Sequence, residues 1–266
     1  MGKISKNIKL TGIIIARDAE ERISNCVKSL EFCDEIIVVD TGSIDKTTEV
    51  AKKLGCNVFK YSKGSFNDWR NFGQSKAKGK YIFYLDTDEE VSDKLKIDIL
   101  KLVKVWGENV GCYAIPRKNI ILGKWLKHGG WYPDYVIRLF KKGSLIKWEN
   151  ELHEQPIYKG KLKYLESAIV HHKEDNLGDM VKKTNKRSEI EGRLMFEAGH
   201  PPMTIPRFIS AMAREFWFRF VKNLAFLDGG EGVIMGLYQV YSRFISYAKL
   251  WEIQITTQNS KLKTQN

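Results

Sequence analysis

Carboxylates crowd the end of one predicted β-strand. The stretch YLDTDEE, residues 84–90, has four carboxylates in five positions, among them Asp86 and Asp88, and Asp40 ends an earlier strand-like run, EIIVVD. Ligands of an open parallel sheet bind beyond the carboxyl ends of its strands, so Asp40 and Asp86 should face one crevice. Because clustered carboxylates repel one another unless a cation balances them, the D-x-D pair favours a hard divalent ion at this place.

A structural alternative exists for the same acidic residues. Glu89, Glu90 and Asp93 precede or begin a segment with helical spacing of apolar residues, which Ser92 should cap. Negative charge stabilises the first turn of a helix. We therefore expect these three carboxylates to support that helix, which leaves Asp86 and Asp88 for the crevice.

Strands and helices alternate in the first part of the chain. Apolar and β-branched runs of strand length are followed by segments with helical periodicity. The runs are 8–16, 35–40, 56–61 and 81–86. This alternation predicts an α/β fold, with a mostly parallel sheet covered by helices on both faces. Beyond about residue 111 shorter strands and Gly- or Trp-rich loops follow, and from about residue 176 long helices. We predict two domains, 1–175 and a helical region 176–266.

The chain is strongly basic, with 44 Lys and Arg against 32 Asp and Glu and a formal net charge of +12. This excess favours an anionic partner. A nucleic acid, a phosphorylated small molecule and an acidic membrane surface are the three candidates. A merely solvated surface is the alternative. The motifs G-x-G-x-x-G and G-x-x-x-x-G-K-[ST] do not occur, which disfavours classical dinucleotide and P-loop sites.

Cysteine usage and the N-terminus indicate the compartment. The four cysteines form no C-x-x-C pair and have no ligand spacing with histidine, so we expect reduced, buried thiols. The first residues, MGKISKNIKL, lack the apolar core of a secretory signal. Both observations predict a cytoplasmic location.

The C-terminal segment combines aromatic and basic side chains. Residues 205–227 hold aromatics interspersed with Arg207, Arg214, Arg219 and Lys222. This pattern is typical of an amphipathic helix that lies in a membrane interface. Residues 233–251 are nearly long enough to span a bilayer, but the central Arg243 would cost about 2.5–3.5 kcal/mol there. We predict peripheral membrane binding; packing of the aromatics on the rest of the protein or on a second subunit is the alternative.

Several motifs together resemble the family-two glycosyltransferases of the GT-A fold. They are IIIARDAEERISNCVKSL, DEIIVVDTGSIDKTTEVAKKLG, the WRN of NDWRNFG, YIFYLDTDEEVS, RLFKKG and NELHE. Within that family the chain is similar to the lipopolysaccharide core β-glucosyltransferases, from about Lys9 to about Trp251. The resemblance implies an inverting, metal-dependent hexosyltransferase that moves a sugar from a nucleotide diphosphate sugar to a hydroxyl group. It also implies that 1–175 is the catalytic GT-A domain and that 176–266 is an appendage at the membrane.

The resemblance assigns roles to individual residues. Those implied to bind the nucleotide sugar are Ala16, Asp40, Arg70, Asp86 and Arg138. Asp88 and His171 are implied to bind Mg²⁺ or Mn²⁺ at the diphosphate, with the adjacent His172 as an open alternative to His171.

An inverting transferase also needs a base that removes the acceptor proton. The resemblance places Glu154 of NELHE in that role, and Asp134 of the GGWYPD loop is the rival candidate. His128 and Trp131, in the same loop, are expected to shape the acceptor pocket.

Two positions depart from the family pattern. Residues 18–20 are Asp-Ala-Glu where relatives usually have Asn-Glu, and Trp69 stands where Gln commonly precedes the Lys/Arg-Asn pair. These departures weaken any assignment of UDP-glucose as the donor.

The leading hypothesis from the sequence is transfer from a nucleotide diphosphate sugar, with a UDP-hexose as the expected donor, to a lipid-linked surface glycan such as lipopolysaccharide core. The reaction would take place at the inner face of the cytoplasmic membrane. The alternatives are transfer to a protein or peptide, a sugar-phosphate nucleotidyltransferase, whose glycine-rich N-terminal motif is missing, and a non-catalytic nucleic-acid-binding protein. We expect no nucleic-acid partner, because the lysines are scattered and no binding motif occurs.

Overall fold

The computed structural model describes residues 9–150, 154–174 and 176–263. The chain forms two compact units. The first comprises Met1–Lys118 and Asp134–His172, and the second comprises Asn119–Pro133 and Lys173–Asn266. The predicted domains 1–175 and 176–266 stay a prediction. The compact units differ from them in grouping residues 119–133 with the C-terminal helices.

The first unit begins with alternating strands and helices, as the apolar periodicity predicts. The strands are β1 (Leu10–Ala16), β2 (Glu35–Asp40), β3 (Asn57–Lys60) and β4 (Tyr81–Asp86), and the helices between them are α1 (Ile23–Ser29), α2 (Thr47–Lys53) and α3 (Phe66–Lys76). These four strands lie side by side in the order β3-β2-β1-β4, and every pairing among them is parallel. The α/β prediction is thus confirmed.

The sheet changes character beyond β4. The remaining elements up to the C-terminal helices are β5 (Glu89–Val91), α4 (Asp93–Leu102), β6 (Val110–Ile121), β7 (Lys124–Trp125), β8 (Asp134–Lys141), β9 (Leu145–Glu149), β10 (Gln155–Tyr158), β11 (Lys161–Tyr164) and β12 (Ile169–Glu174). β8 pairs antiparallel with both β4 and β6, and β12 pairs antiparallel with β5. β9 and β10 form a separate antiparallel hairpin.

The core lies on both faces of the parallel strands. All seven residues of β1 are buried, as expected for a strand that helices cover on both sides. Successive side chains alternate between the faces, so Ile14 and Phe83 belong to one apolar cluster while Ile13 and Tyr84 belong to the other. A sheet fixed in this way gives the loops at its carboxyl edge a rigid base.

The second unit is mainly helical. Its helices are α5 (Leu177–Glu197), α6 (Ile205–Phe216), a π-helix (Trp217–Lys222), a 3₁₀ turn (Ala225–Asp228) and α7 (Gly229–Lys263). Pro206 stands in the first turn of α6, where the missing N–H of proline has no cost. The predicted C-terminal helices are confirmed. Among the described residues, no helix combines the length and the apolar character that a membrane crossing requires.

Candidate active site

The carboxyl ends of three neighbouring strands bring the predicted residues together. Ala16, the last residue of β1, is in register with Asp40 of β2, and the preceding Ile15 is in register with Asp86 of β4. Asp40 is 1% exposed, and its Oδ1 accepts a hydrogen bond of 3.1 Å from the Ser43 N–H. Asp40 and Asp86 therefore end adjacent parallel strands at one edge of the sheet, as the sequence predicts.

Two loops at this edge are joined by reciprocal hydrogen bonds. The Asp18 carboxylate accepts from the Ile44 N–H at 2.8 Å, and the Ser43 hydroxyl accepts from the Asp18 N–H at 3.0 Å. Glu20 accepts from the Lys46 N–H at 2.9 Å in the same way. Residues 18–20, which depart from the family pattern, thus hold the loop after β1 against the loop after β2.

Asp86 lies between two buried guanidinium groups. Arg70 of α3 donates to its Oδ1 at 3.1 Å, and Arg138 of β8 donates to both carboxylate oxygens. Burial by itself would raise the pKa of Asp86, but the positive charges of Arg138 and Arg70 outweigh it and hold that pKa well below its usual range. Asp86 is therefore ionised at neutral pH and fixed in one orientation.

Glu89 is a second fixed carboxylate, and it corrects one expectation. It is fully buried at the start of β5, where it accepts from the Asp86 N–H at 3.0 Å and from Arg138 at 2.9 Å. Arg117 of β6 contacts it at 3.4 Å. The prediction that Glu89 supports the following helix is wrong, because its carboxylate is turned into this ion network. Ser92 does cap α4, accepting from the Leu95 N–H.

Glu154, the predicted base, joins the same network through Arg70. Both Nε and Nη2 of Arg70 donate to Glu154 Oε1, at 3.2 and 3.1 Å. The guanidinium also lies 4.8 Å from the centre of the Trp148 ring. Asn71 holds that tryptophan in place, because its side-chain amide bonds to both the N–H and the C=O of Trp148. The Glu154 side chain is 23% exposed, so a substrate can reach it. The Arg70 side chain is only 3% exposed and is therefore shielded from a substrate.

Asp88 and His171, the two residues predicted to bind a metal, lie close together. β12 runs antiparallel to β5 with His171 opposite Glu89, and this register brings His171 Nε2 to 3.6 Å from Asp88 Oδ2. His172 points to the other side of the strand, 3.4 Å from Glu90. Of the two histidines, the structure places His171 beside Asp88. In the described ranges no group of three or more His, Cys, Asp or Glu side chains is arranged to hold a metal ion.

Asp134, the rival base, contacts Arg117, and the loop residues His128 and Trp131 contact residues of the second unit. Asp134 accepts from Arg117 Nε and Nη2 at 2.9 and 2.6 Å. His128 and Trp131 belong to the second unit. There, His128 Nδ1 lies 2.8 Å from Asp228 Oδ1, and the buried Trp131 ring faces the guanidinium of Arg219 at 5.4 Å.

Four residues of this site were not predicted. Glu89 and Arg117 belong to the ion network, while Asn71 and Trp148 support Arg70. Asn71 belongs to the WRN motif, and its place next to the candidate Arg70 could have indicated that it supports the site. For Trp148, Arg117 and the burial of Glu89, the sequence gives no local signal, since their partners lie on distant strands.

Comparison with known proteins identifies the family. The model of Glycosyl transferase family 2 matches residues 11–165. A Rickettsia bellii protein named an uncharacterized glycosyltransferase is 26% identical, with 97% of this chain and 92% of the relative covered. The lipopolysaccharide core biosynthesis glycosyltransferase LpsC of Rhizobium meliloti is 22% identical, with 92% and 93% covered. Among solved structures, S. aureus TarS 1–349 in complex with UDP-GlcNAc aligns with a TM-score of 0.50, at 15% identity over 95% of this chain and 92% of that one. This likeness is one of fold, and it agrees with the GT-A prediction.

Proposed function

Because this chain belongs to glycosyl transferase family 2, we propose that it is an inverting transferase that moves a hexose from a UDP-sugar to a hydroxyl of a lipid-linked surface glycan. The observation that carries the proposal is the common edge of β1, β2 and β4. There Asp40 and Asp86 end adjacent strands, and Asp88 follows two residues later beside His171. The loops at such an edge form the usual ligand site of a parallel sheet.

We assign the donor to this edge. Ala16 and Asp40 would line the nucleoside side, and the ionised Asp86 would accept hydrogen bonds from ribose hydroxyls. Arg70 and Arg138 are buried, so their part is to hold Asp86 in the acceptor orientation. TarS, which shares the fold, binds UDP-GlcNAc in its crystal, and this is consistent with a UDP-sugar donor here.

A divalent cation fits the pair of Asp88 and His171. A carboxylate oxygen and an imidazole nitrogen 3.6 Å apart can bind one ion from two sides, and the diphosphate and water would complete its ligands. When bound, Mg²⁺ or Mn²⁺ would neutralise charge on the departing diphosphate. Two protein ligands suit a cation that binds the diphosphate, because they leave most of its coordination sphere to the substrate.

Glu154 is our candidate for the base. In the transfer step the acceptor oxygen forms a bond to the anomeric carbon while the bond from that carbon to the diphosphate oxygen breaks, so the configuration inverts and UDP leaves. Glu154 takes the acceptor proton. Arg70 donates twice to Glu154 Oε1, which fixes one oxygen and leaves Oε2 for the acceptor hydroxyl. Arg117 donates twice to Asp134 Oδ2 in the same manner, and we rank Asp134 second because Glu154 shares its arginine, Arg70, directly with Asp86.

The acceptor and the location are inferred from the second unit and from LpsC. LpsC is named for lipopolysaccharide core biosynthesis, and a related role would supply a lipid-linked acceptor. On α6, Ile205, Ile209 and Phe216 are 76%, 64% and 46% exposed, and their spacing places them on one side of the helix. We call these three residues the apolar stripe. An exposed stripe of this kind suits a peripheral position on the inner face of the cytoplasmic membrane.

The experiment compares Asp88→Ala with the wild type. Each protein is incubated with radiolabelled UDP-sugars, Mn²⁺ and a membrane extract, and the lipid fraction is counted. We expect the wild type to label lipid and Asp88→Ala to lose at least about a hundredfold in rate, the scale on which loss of a metal ligand affects catalysis. Glu90→Gln is the matched control, because Glu90 pairs with His172 instead. Equal labelling by Asp88→Ala would overturn the metal assignment, and label in a protease-sensitive fraction would identify a protein acceptor.

A further inference from the structure

One side of α7 exposes a straight row of apolar residues. The large members of the row are Ile234, Leu237, Tyr241, Phe244, Trp251 and Ile255. With the small Ala248 between Phe244 and Trp251, they recur at alternate steps of three and four residues, which is the spacing of a coiled-coil seam. Each of the six large residues is between 37% and 51% exposed. We call the row of seven residues the α7 seam.

Two other sides of α7 are packed within the second unit. On one side lies α5, where the Ser246 hydroxyl donates to Glu191 at 2.7 Å. On another lies α6, where Arg243 Nε is 3.6 Å from Glu215. The seam residues fall within an arc of about 100° on the helix, away from both Ser246 and Arg243. The seam is therefore the side of α7 that these two helices leave to solvent, with Phe244 at its edge towards α6.

A groove of 540 Å³ adjoins the seam between α5 and α7. Val181 of α5 and Ile245 of α7 belong to its wall, together with the seam residues Tyr241, Ala248 and Trp251. The apolar surface is thus wider than a single row of side chains. A depression beside a row of projecting side chains is the shape that an opposing helix needs in order to interlock with this one.

The charges on the rim of this groove are balanced. Lys182 lies 3.7 Å from Asp179, and Lys249 lies 3.1 Å from Glu189. Glu252 adds a further carboxylate to the same rim. A surface that meets anionic lipid headgroups is typically rich in lysine and arginine without acidic partners. The mixed charge of this rim favours a protein surface as the partner instead.

We propose that the α7 seam and the adjoining groove bind the same surface of a second copy of this chain. Large apolar side chains bury about 150–250 Å² each, so the exposed parts of the six seam residues amount to roughly 600 Å² per chain. Two copies would bury about 1,200 Å² from the seam alone, which reaches the lower limit for a specific protein interface.

A two-fold axis suits this surface. Such an axis places one patch against itself, so a rim with charges of both signs is complementary to its own copy. In this arrangement Lys182 of one copy approaches the partner's Glu252. The proposed dimer uses no residue of the apolar stripe on α6, so it goes beyond the proposed function and does not rest on it.

The test is sedimentation velocity on the full chain, without membranes or substrate. We expect the wild type to form a dimer with a Kd of about 10 μM or lower. Leu237→Glu/Tyr241→Glu should raise that Kd at least about a hundredfold, because each copy then brings two charges into an apolar contact. Ile205→Glu/Ile209→Glu is the matched control, since it adds the same charge to the apolar stripe of α6 and should change the Kd less than about twofold.

A milder variant guards against misfolding. Leu237→Ala/Tyr241→Ala removes apolar area without adding charge, and it should raise the Kd about tenfold while its circular dichroism spectrum matches that of the wild type. Both positions are about half exposed, so neither substitution disturbs a buried core.

The remaining outcomes would overturn the proposal. A wild type that stays monomeric up to about 100 μM would show that the seam does not bind a second copy. Equal weakening by the two charged double variants would indicate unspecific apolar association. If the Leu237→Glu/Tyr241→Glu variant remained dimeric but lost binding to lipid vesicles, the seam would be a membrane surface. Sugar transfer enters none of these measurements, so a failure of the proposed function would be seen separately in the labelling experiment.

Discussion

The two compact units use charge in different ways. In the first unit, Arg70 and Arg138 are 2% and 4% exposed, and each contacts two carboxylates within 3.4 Å. In the second unit, the ion pair between Arg187 and Glu191 joins an arginine side chain that is 61% exposed to a neighbour one helical turn away. The buried charges of the first unit fix the directions of carboxylates at the candidate site, while the exposed pair of the second unit leaves its arginine largely in water.

Buried and exposed ion pairs also differ in how their loss changes the free energy of unfolding. Buried ion networks are not a reliable source of stability, because desolvation offsets the Coulomb attraction, but removing one partner leaves a charge buried without compensation. Exposed pairs are worth little whether present or absent. The network around Asp86 therefore positions the carboxylates of the candidate site. Its buried members Arg70, Arg138 and Glu89 should be the least replaceable charges among the described residues.

The largest expected effect is on stability. Arg138→Met removes one ion partner from Asp86 and one from the fully buried Glu89, and we expect the free energy of unfolding to fall by about 3–5 kcal/mol. Arg187→Met in the exposed pair should cost only about 0.3–0.5 kcal/mol. Urea unfolding of both variants measures the contrast. Similar losses in the two variants would contradict the distinction between the units.

The next largest expected effect is on the rate of sugar transfer, with stability nearly unchanged. Glu154→Gln keeps an oxygen for Arg70 but removes the basic carboxylate, so we expect kcat to fall by at least about a hundredfold. The melting temperature should stay close to that of the wild type. Asp134→Asn is the matched comparison, and a larger fall in its kcat than in that of Glu154→Gln would transfer the role of base to Asp134.

The sequence predicts the crevice but not the network inside it. Strand periodicity and the alternation of strands with helices suffice to predict that Asp40 and Asp86 reach one edge, because both patterns can be recognised from neighbouring residues along the chain. Glu89 was misassigned because an acidic residue before a helix has an ordinary local role. Its actual partners, Arg117 and Arg138, are 28 and 49 residues away along the chain, and no local pattern indicates their approach.

Strand register decides the choice between neighbouring histidines. The sequence places His171 and His172 side by side, and their types are identical. Only the antiparallel pairing of β12 with β5 shows that His171 shares a side with Asp88 while His172 faces Glu90. The sequence also does not indicate that His128 pairs with Asp228, because the two residues are one hundred positions apart and no local pattern links them.

Acid should weaken the first unit through Asp86. The pKa of Asp86 is lowered in the folded chain, so its stabilising contribution is complete above the unfolded value of about 3.9 and is lost as the pH falls below it. Asp86→Asn cannot make this contribution at any pH. We therefore expect its free energy of unfolding to depend less on pH below about 4 than that of the wild type. Urea titrations over that range measure the slope, and identical slopes would mean that Asp86 is not the group responsible.

The smallest expected effect on folding lies in the apolar stripe of the second unit. Ile205 and Ile209 remain mostly in water, so Ile205→Ala and Ile209→Ala should each change the free energy of unfolding by less than about 0.5 kcal/mol. The matched change Ile99→Ala, in the fully buried core of the first unit, should cost about 2–5 kcal/mol.

In vesicle binding, the substitutions in the apolar stripe should have a larger effect than Ile99→Ala. The double variant Ile205→Ala/Ile209→Ala should bind membranes more weakly, because exposed apolar area contributes to affinity when lipid covers it. Ile99→Ala should bind as the wild type does at temperatures where it remains folded. Unfolding measurements and flotation on the wild type, Ile205→Ala/Ile209→Ala and Ile99→Ala test both parts. If the stripe variants lost stability as Ile99→Ala does, the stripe would be packed inside the protein in solution, and the aromatic and aliphatic residues of α6 would serve the fold instead of a membrane.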